Sequence, residues 1–317
     1  MFMSAVKNNL AAKVLVCDTI HEDGIRMLQN ASFQVDLKTK ITPEELVKAV
    51  ENYDAMVVRS RTKVTEGVLA AGKRLKVVAR AGVGLDNVDV ESAKRRGIQV
   101  VNSPEAPSNA VAELVVGFML SLARRIPEAD ASMKKGEWIK NKLTGFELKG
   151  KTVGIIGFGR IGYLVARKAK AMEMRVLVYD VIIDKLIGYV REVGAESVSL
   201  DELLSSSDFI SVHVPLLEET KHMIGLEEIG KMKKTAYLIN ASRGPVVDEN
   251  ALKGALMSGR IAGAALDVFE EEPPEGTELT GLTNVVCTPH IGAETEEAQR
   301  ANSTIVAEKM IRILSGN

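Results

Sequence analysis

Apolar, β-branched runs alternate with amphipathic stretches along most of the chain. In the first hundred residues, KVLVCD (13–18), FQVDL (33–37), AMVVRS (55–60), KVVARA (76–81) and IQVVNS (98–103) have the short, Val-rich form of buried strands. Between them, EDGIRMLQN, TPEELVKAVEN, TEGVLAAGK and DVESAKRRG show helical spacing, several of them opened by Thr or Asp caps. The strand pattern resumes with TVGIIGF, RVLVYD, FISVHV, AYLINAS, IAGAALDV and NVVCTP. Strands alternating with helices predict parallel sheets covered on both faces, hence an α/β fold. Two helices stand outside the alternation. SNAVAELVVGFMLSLARR (108–125) is apolar around most of its circumference, which predicts burial between domains or subunits. TEEAQRANSTIVAEKMIRILSG (295–316) has no strand after it and must dock elsewhere, the first α/β unit being one solution.

Composition narrows the classes. A chain of 317 residues predicts two domains. With 46% hydrophobic residues, 26% charged and a net charge of −1, nothing favours nucleic acid or an anionic membrane. Two cysteines, Cys17 and Cys287, make no disulfide framework and fit a reducing compartment. The stretch MFMSAVKNNLAAKVLVCD lacks the apolar centre of a signal peptide, so the expectation is a cytoplasmic protein.

The segment GIIGFGRIG (154–162) spaces Gly157, Gly159 and Gly162 as G-x-G-x-x-G, after a strand pattern and before a helix expected to start at the third glycine. The first glycine makes the tight turn, the second admits a pyrophosphate, and the third lets helix and strand pack closely. Asp180 ends the next strand pattern and suits the two ribose hydroxyls of a dinucleotide. Val181 follows rather than an arginine, which favours NAD over NADP. GVLAAGKR (67–74) mimics a phosphate loop, but it has Arg74 where Ser or Thr must hold magnesium, and it lies in a helix pattern.

The four histidines show no metal-ligand spacing with cysteines or carboxylates, so no metal is expected. Hydride transfer to NAD needs a group that takes a hydroxyl proton, and histidine suits this near neutral pH. His290 follows the NVVCTP strand directly; His213, in SVHVP, reads equally well as a half-buried structural histidine, and His21 and His222 as surface residues. Ligands of open α/β sheets sit outside the carboxyl ends of the strands. That rule selects Arg243, Asp267, Glu272 and His290 in the second half, and Arg59 and Arg80 in the first. For any one arginine alone an ordinary surface salt-bridge partner is the better reading; several such groups on one edge favour a site.

These residues together, namely GRIG with Asp180, ASRGPVVDE around Arg243, ALDVFEEEPP around Glu272 and CTPHIGAET around His290, resemble the D-2-hydroxyacid dehydrogenases over nearly the whole chain. VVRSRTKVT and RAGVGLDNVD resemble those members that oxidise D-3-phosphoglycerate to 3-phosphohydroxypyruvate, the first step of serine synthesis. The alternatives are a glyoxylate or hydroxypyruvate reductase and, in another class, an NAD-sensing corepressor. The resemblance implies two Rossmann- or flavodoxin-like domains, with the NAD-binding domain (104–294) inserted into a substrate-binding domain (1–103 with 295–317) and the active site in the cleft. It implies that Arg243 holds the substrate carboxylate, that His290 takes the hydroxyl proton, and that Glu272 pairs with His290, raises its pKa and fixes its tautomer.

By the same resemblance Arg160 and Ile161 meet the pyrophosphate, and Val214, Pro215 and Thr220 line the adenosine half. Ala241 and Asp267 reach the nicotinamide carboxamide, and Gly292 and Ala293 close the site beside it. Gly82, Val83 and Gly84 present backbone N–H groups to the substrate carboxylate, and Arg59 and Arg80 take its phosphate. A homodimer through the NAD-binding domain is implied, with further pairing into tetramers open. Lys140 and Lys142 near Trp138 either reach a partner's substrate or form a solvated run. Some relatives carry serine-binding regulatory domains; this sequence ends at Asn317, which gives the expectation of an enzyme without that feedback.

Overall fold

The computed structural model describes residues 11–276 and 278–316. The first ten residues, part of the stretch read above for a signal peptide, lie outside them. The described chain divides into two units. One comprises the residues up to Pro107 together with those from Ala293 onward, and the other runs from Ser108 to Gly292.

The first unit begins with β1 (Lys13–Val16), α1 (Glu22–Asn30), β2 (Gln34–Leu37), α2 (Pro43–Ala49), β3 (Ala55–Val58), α3 (Glu66–Ala71), β4 (Val77–Arg80), α4 (Val90–Arg95) and β5 (Gln99–Asn102). Its five strands are all parallel, in the order β2-β1-β3-β4-β5. The strands β1, β3 and β4 are buried because their Val, Leu, Ala and Met side chains face helices on both sides. The chain builds β2 to one side of β1 and β3 to the other, so the order reverses between β1 and β3.

The second unit contains α5 (Ser108–Arg124), α6 (Ile126–Lys134), β6 (Thr152–Ile156), α7 (Arg160–Ala171), β7 (Arg175–Tyr179), α8 (Ile183–Val193), β8 (Glu196–Ser197), α9 (Leu200–Ser206), β9 (Phe209–Val212), α10 (Leu226–Lys231), β10 (Tyr237–Asn240), α11 (Glu249–Met257), β11 (Gly263–Leu266) and β12 (Val285–Cys287). Its parallel sheet runs β12-β11-β10-β9-β6-β7-β8, and its order reverses between β6 and β9. The apolar helix α5 buries Val111, Val115, Phe118, Met119 and Leu122 in this unit's own core, beside Val165 and Ala166 of α7. The two-residue β8 has no apolar run and both its residues are exposed, which is why no strand is legible there.

After Gly292 the chain returns to the first unit through α12 (Glu296–Ser315). Val306, Ala307 and Met310 of α12 join Val14, Val16, Leu28, Ala55 and Val57 in one buried cluster. Gly24 of α1 sits where α12 crosses, and a Cβ there would lie 2.7 Å from the Ser303 carbonyl oxygen. Backbone cannot yield as a side-chain tip does, so Gly24→Ala should destabilise the first unit by about 2 kcal/mol. A lowered urea midpoint by circular dichroism checks this; an unchanged midpoint would show that the helices can part freely. His21, read from sequence as a surface residue, is instead partly buried at the N-cap of α1. Its Nδ1 accepts from the Asp23 N–H at 3.2 Å, and its own N–H donates to Ser303 Oγ at 2.8 Å.

Candidate active site

The glycine-rich turn lies at the carboxyl end of β6, at the reversal point of the second unit's sheet. Gly157 adopts φ +91°, and a Cβ on it would come within 2.8 Å of the His213 backbone beyond β9. The two strand ends flanking the reversal therefore abut, and only a glycine fits the turn. A Cβ on Gly162 would lie 2.2 Å from the Gly157 carbonyl oxygen, so α7 crosses the turn at backbone distance. A Cβ on Gly159 would meet nothing within 4 Å, which leaves open space over the second glycine. The helix begins two residues earlier than its third glycine suggested. Gly159 is the N-cap, Tyr163 N–H makes the first turn's bond to the Gly159 carbonyl, and Arg160 and Ile161 lie in the first turn. First-turn N–H groups have no partner within their helix, so those of Arg160 and Ile161 suit a pyrophosphate. Asp180 follows β7, where its carboxylate accepts from Phe158 N–H at 2.7 Å and Ile182 N–H at 3.0 Å. That arrangement holds an acid beside the glycine turn, and together with the open space at Gly159 it fits a dinucleotide.

Val214 and Pro215 follow β9 after His213. Thr220 spends its hydroxyl on its own loop, donating to the Pro215 carbonyl at 2.7 Å and accepting from Leu217 N–H at 2.8 Å. His213 is half-buried, and Ser211 Oγ lies 2.8 Å from its Nε2. Burial pushes the imidazole down to about 4, so His213 is neutral at physiological pH.

Farther along the same sheet edge, the ends of β10, β11 and β12 form a hydrogen-bonded assembly. Asn240 closes β10: its Nδ2 donates to the Arg243 carbonyl at 2.9 Å, and its Oδ1 accepts from Ser242 N–H and Oγ at 3.1 and 2.8 Å. These bonds shape the turn that carries Ala241 and Arg243. A Cβ on Gly244 would lie 1.9 Å from the Phe269 carbonyl, so this turn packs backbone on backbone against the segment leading to Glu272. Asp267, only 1% exposed, accepts from Thr288 Oγ1 at 2.5 Å, Ile291 N–H at 2.8 Å and Gly292 N–H at 2.8 Å. Burial raises its carboxyl pKa, against the pull of those donors and of His290. The loop 288–292 is thereby wrapped around one carboxylate.

His290 sits on that loop at φ +54°, its N–H donating to the Asp267 carbonyl at 2.8 Å. Its Nδ1 lies 2.7 Å from Glu272 Oε2, while Glu272 Oε1 accepts from Phe269 N–H at 3.2 Å. Partial burial pushes the Glu272 carboxyl up, but the hydrogen bond and charge of His290 outweigh it and hold it below the usual range. Glu272 is thus an ionised partner that favours the Nδ1–H tautomer, leaving Nε2 as the proton-accepting nitrogen. Arg243 Nη1 donates to the Ser242 carbonyl at 2.7 Å, and its charge also lowers the Glu272 pKa.

In the first unit, Arg59 and Arg80 end or follow the adjacent strands β3 and β4. Arg59 lies at the β1/β3 reversal, and its N–H donates at 2.6 Å to Asp18 beyond β1. Asn87 Nδ2 donates to the Arg59 and Thr62 carbonyls, both at 2.6 Å, so the Arg59 loop is held from two sides. The Arg59 guanidinium pairs with Glu294 and reaches the Thr19 carbonyl at 3.5 Å. Gly82 N–H donates to Ser103 Oγ at 2.9 Å, and a Cβ on Gly82 would overlap Arg80 Nη1. Val83 and Gly84 follow it on the same loop. Ala293 opens the return segment of this unit, its carbonyl accepting from Gln299 Nε2 at 2.8 Å.

Asn240, Thr288, Asp18 and Asn87 are site-shaping residues that sequence reasoning passed over. Asn240 and Asp18 carried a signal, being polar residues at the carboxyl ends of buried strands. Among the described residues no group of His, Cys, Asp and Glu could hold a metal ion, and no helix is long and apolar enough to cross a membrane.

Comparison with known proteins places these features in context. Residues 116–292 match the family model described as D-isomer specific 2-hydroxyacid dehydrogenase, NAD binding domain. The chain is 50% identical over 305 residues to a D-3-phosphoglycerate dehydrogenase of Methanocaldococcus jannaschii, covering 96% of this chain and 58% of that protein. A hydroxypyruvate reductase of Thermotoga maritima is 45% identical over 305 residues, covering 95% of this chain and 98% of its own length. Among solved structures, a D-lactate dehydrogenase of Aquifex aeolicus complexed with NAD and lactic acid superposes with a TM-score of 0.81 at 31% identity, covering 96% of each chain.

Proposed function

From the premise that this chain belongs to the D-isomer-specific 2-hydroxyacid dehydrogenases and carries their NAD-binding domain, we propose that it oxidises D-3-phosphoglycerate to 3-phosphohydroxypyruvate. The reading of the chemistry rests on one observation, the Glu272–His290 pair at 2.7 Å with Nε2 left to accept a proton. NAD, bound over the glycine turn, supplies the hydride acceptor. His290 Nε2 takes the proton of the substrate 2-hydroxyl as the hydride leaves the same carbon. The Glu272 carboxylate then faces an imidazolium and stabilises it through Nδ1–H. Arg243 holds the substrate carboxylate through its guanidinium and so fixes which face of the carbon is presented. By the family resemblance, the Gly82, Val83 and Gly84 backbone and the cationic side chains Arg59 and Arg80 also bind the substrate. The choice of a phosphorylated substrate is supported by Arg59 at a sheet reversal point, where ligands of such sheets bind. It is supported also by the 50% identity to the archaeal dehydrogenase, of whose length this chain spans 58%.

The second reading is a reductase of hydroxypyruvate, favoured by the Thermotoga relative that this chain covers almost end to end. The catalytic residues serve either reading. NADH formation with NAD and 3-phosphoglycerate, compared with D-glycerate and D-lactate, tests the assignment. Arg59→Ala should lower kcat/KM for 3-phosphoglycerate about 10²-fold, with D-glycerate changed less than about threefold. Equal losses on both substrates would sink the phosphate role and move the reading to the reductase.

A homodimer through the second unit accompanies the reading. Ile126 and Met133 of α6 and Trp138 after it are 50%, 58% and 78% exposed, more apolar surface than one helix and its following loop usually leave in water. On that surface Lys140 and Lys142 would lie near the partner. The free thiols Cys17 and Cys287 agree with a cytoplasmic setting.

A further inference from the structure

The cation assigned to the substrate phosphate already has an anion. Arg59 Nη2 is paired with the Glu294 carboxylate inside the first unit, and Glu294 stands on the return segment immediately before the N-cap of α12. The two residues are 235 positions apart in sequence, so the pair is a product of the fold. The Arg59 backbone is fixed by Asp18 and Asn87, and its side chain is only 25% exposed, whereas the Glu294 side chain is 47% exposed and projects from a single turn. The arginine is therefore the anchored partner and the glutamate the displaceable one. The remaining contact of the Arg59 guanidinium, the Thr19 carbonyl at 3.5 Å, is long and neutral and does not compete with an anion.

We propose that Glu294 is a specificity-determining residue, an internal carboxylate that occupies Arg59 in place of the substrate phosphate and must swing away for the phosphate to bind. The inference rests on the functional reading above, which makes Arg59 a phosphate ligand. Two effects act in one direction. The Arg59–Glu294 pair must open, and the displaced carboxylate remains a like charge near a phosphate dianion. Both weaken phosphate binding without touching the hydride chemistry. Unphosphorylated acids, which never need Arg59, escape the competition. Glu294 thus narrows the gap between phosphorylated and unphosphorylated substrates, which fits a chain related both to a phosphoglycerate dehydrogenase and to a hydroxypyruvate reductase.

Glu294→Gln keeps the shape and removes the charge. The native enzyme, E294Q and R59A are compared for kcat/KM on 3-phosphoglycerate and D-glycerate, with inorganic phosphate as a competitive inhibitor. In E294Q the expected results are an about tenfold rise in the ratio of the two kcat/KM values, carried by KM, and an about tenfold drop in the phosphate inhibition constant. Against an R59A background, E294Q should produce neither effect, so the double variant should match R59A. An unchanged or raised KM for 3-phosphoglycerate in E294Q, with the native enzyme still preferring it, would overturn the inference. Glu294 would then be orienting Arg59, and the functional reading would stand. A native enzyme without preference for 3-phosphoglycerate would sink the functional reading. Tighter inhibition of E294Q by inorganic phosphate would still support the Arg59–Glu294 competition, and identical inhibition would overturn that as well.

Discussion

Replacing His290 with asparagine should lower kcat for the NAD-dependent oxidation by about 10²- to 10⁴-fold, with the affinity for NAD and the thermal midpoint little changed. Asparagine is the suitable substitute because His290 sits at φ +54°, a left-handed conformation that asparagine tolerates better than most side chains. The imidazole is 47% exposed and bonded only at its edge, so removing it leaves no cavity and no buried orphan. Its Nδ1 partner Glu272 is 39% exposed and can turn to water. The loss therefore falls on proton transfer alone. Steady-state kinetics, with NAD binding followed separately by fluorescence, check the expectation. A variant within about threefold of the native kcat would mean that another group takes the hydroxyl proton.

The second large effect belongs to a residue assigned no proton transfer. Asp267→Ala removes a carboxylate that collects three donors, from Thr288, Ile291 and Gly292. The Gly292 N–H is buried, and with no acceptor left it costs most of its desolvation; the expected destabilisation of the second unit is about 3 kcal/mol. For a unit of this size that is a fall of roughly 8 °C in its thermal midpoint. Activity should fall with it, because the loop 288–292 carries His290 and takes its course from Asp267. Asp267→Asn should rescue only in part, since its amide would set an N–H against one of the loop's own donors. A thermal midpoint that does not move in Asp267→Ala would mean that water replaces the carboxylate and that the loop holds its shape without it.

The residues differ in how far the sequence shows their place. The α/β class was legible because β1, β3, β4, β6 and β7 are unbroken Val- and Ile-rich runs, the form that burial on both faces imposes. The glycine turn was legible because its three glycines answer local requirements of a strand, a turn and a helix. What the sequence could not show are contacts between residues far apart in it. Arg59 and Arg80 look alike as arginines at strand ends, yet one faces Glu294 and the other lies against Gly82. The bond from Gly82 N–H to Ser103 Oγ, across to the end of the neighbouring strand, is equally invisible in the sequence. Glu272 and His290 were placed side by side through family likeness, since neither period nor spacing links residues on two different loops. The N-cap role of His21 was hidden for a simpler reason: an exposed-looking polar residue before a helix says nothing of Ser303 coming back over it from α12.

The route of the chain has a bearing on how the protein is made. The second unit is one continuous stretch, Ser108–Gly292, and holds its whole core within it. The first unit is begun earlier and finished later. Its strands β1 and β3 emerge first from the ribosome, but Val14, Val16, Ala55 and Val57 wait for Val306, Ala307 and Met310 to cover them. Domains that close in order of synthesis shield each apolar surface as it appears. Here the order is inverted, and the part made first is the last to close. Throughout the synthesis of some two hundred intervening residues, the nascent chain carries an open apolar sheet face, and that face is where a chaperone or a protease would meet it.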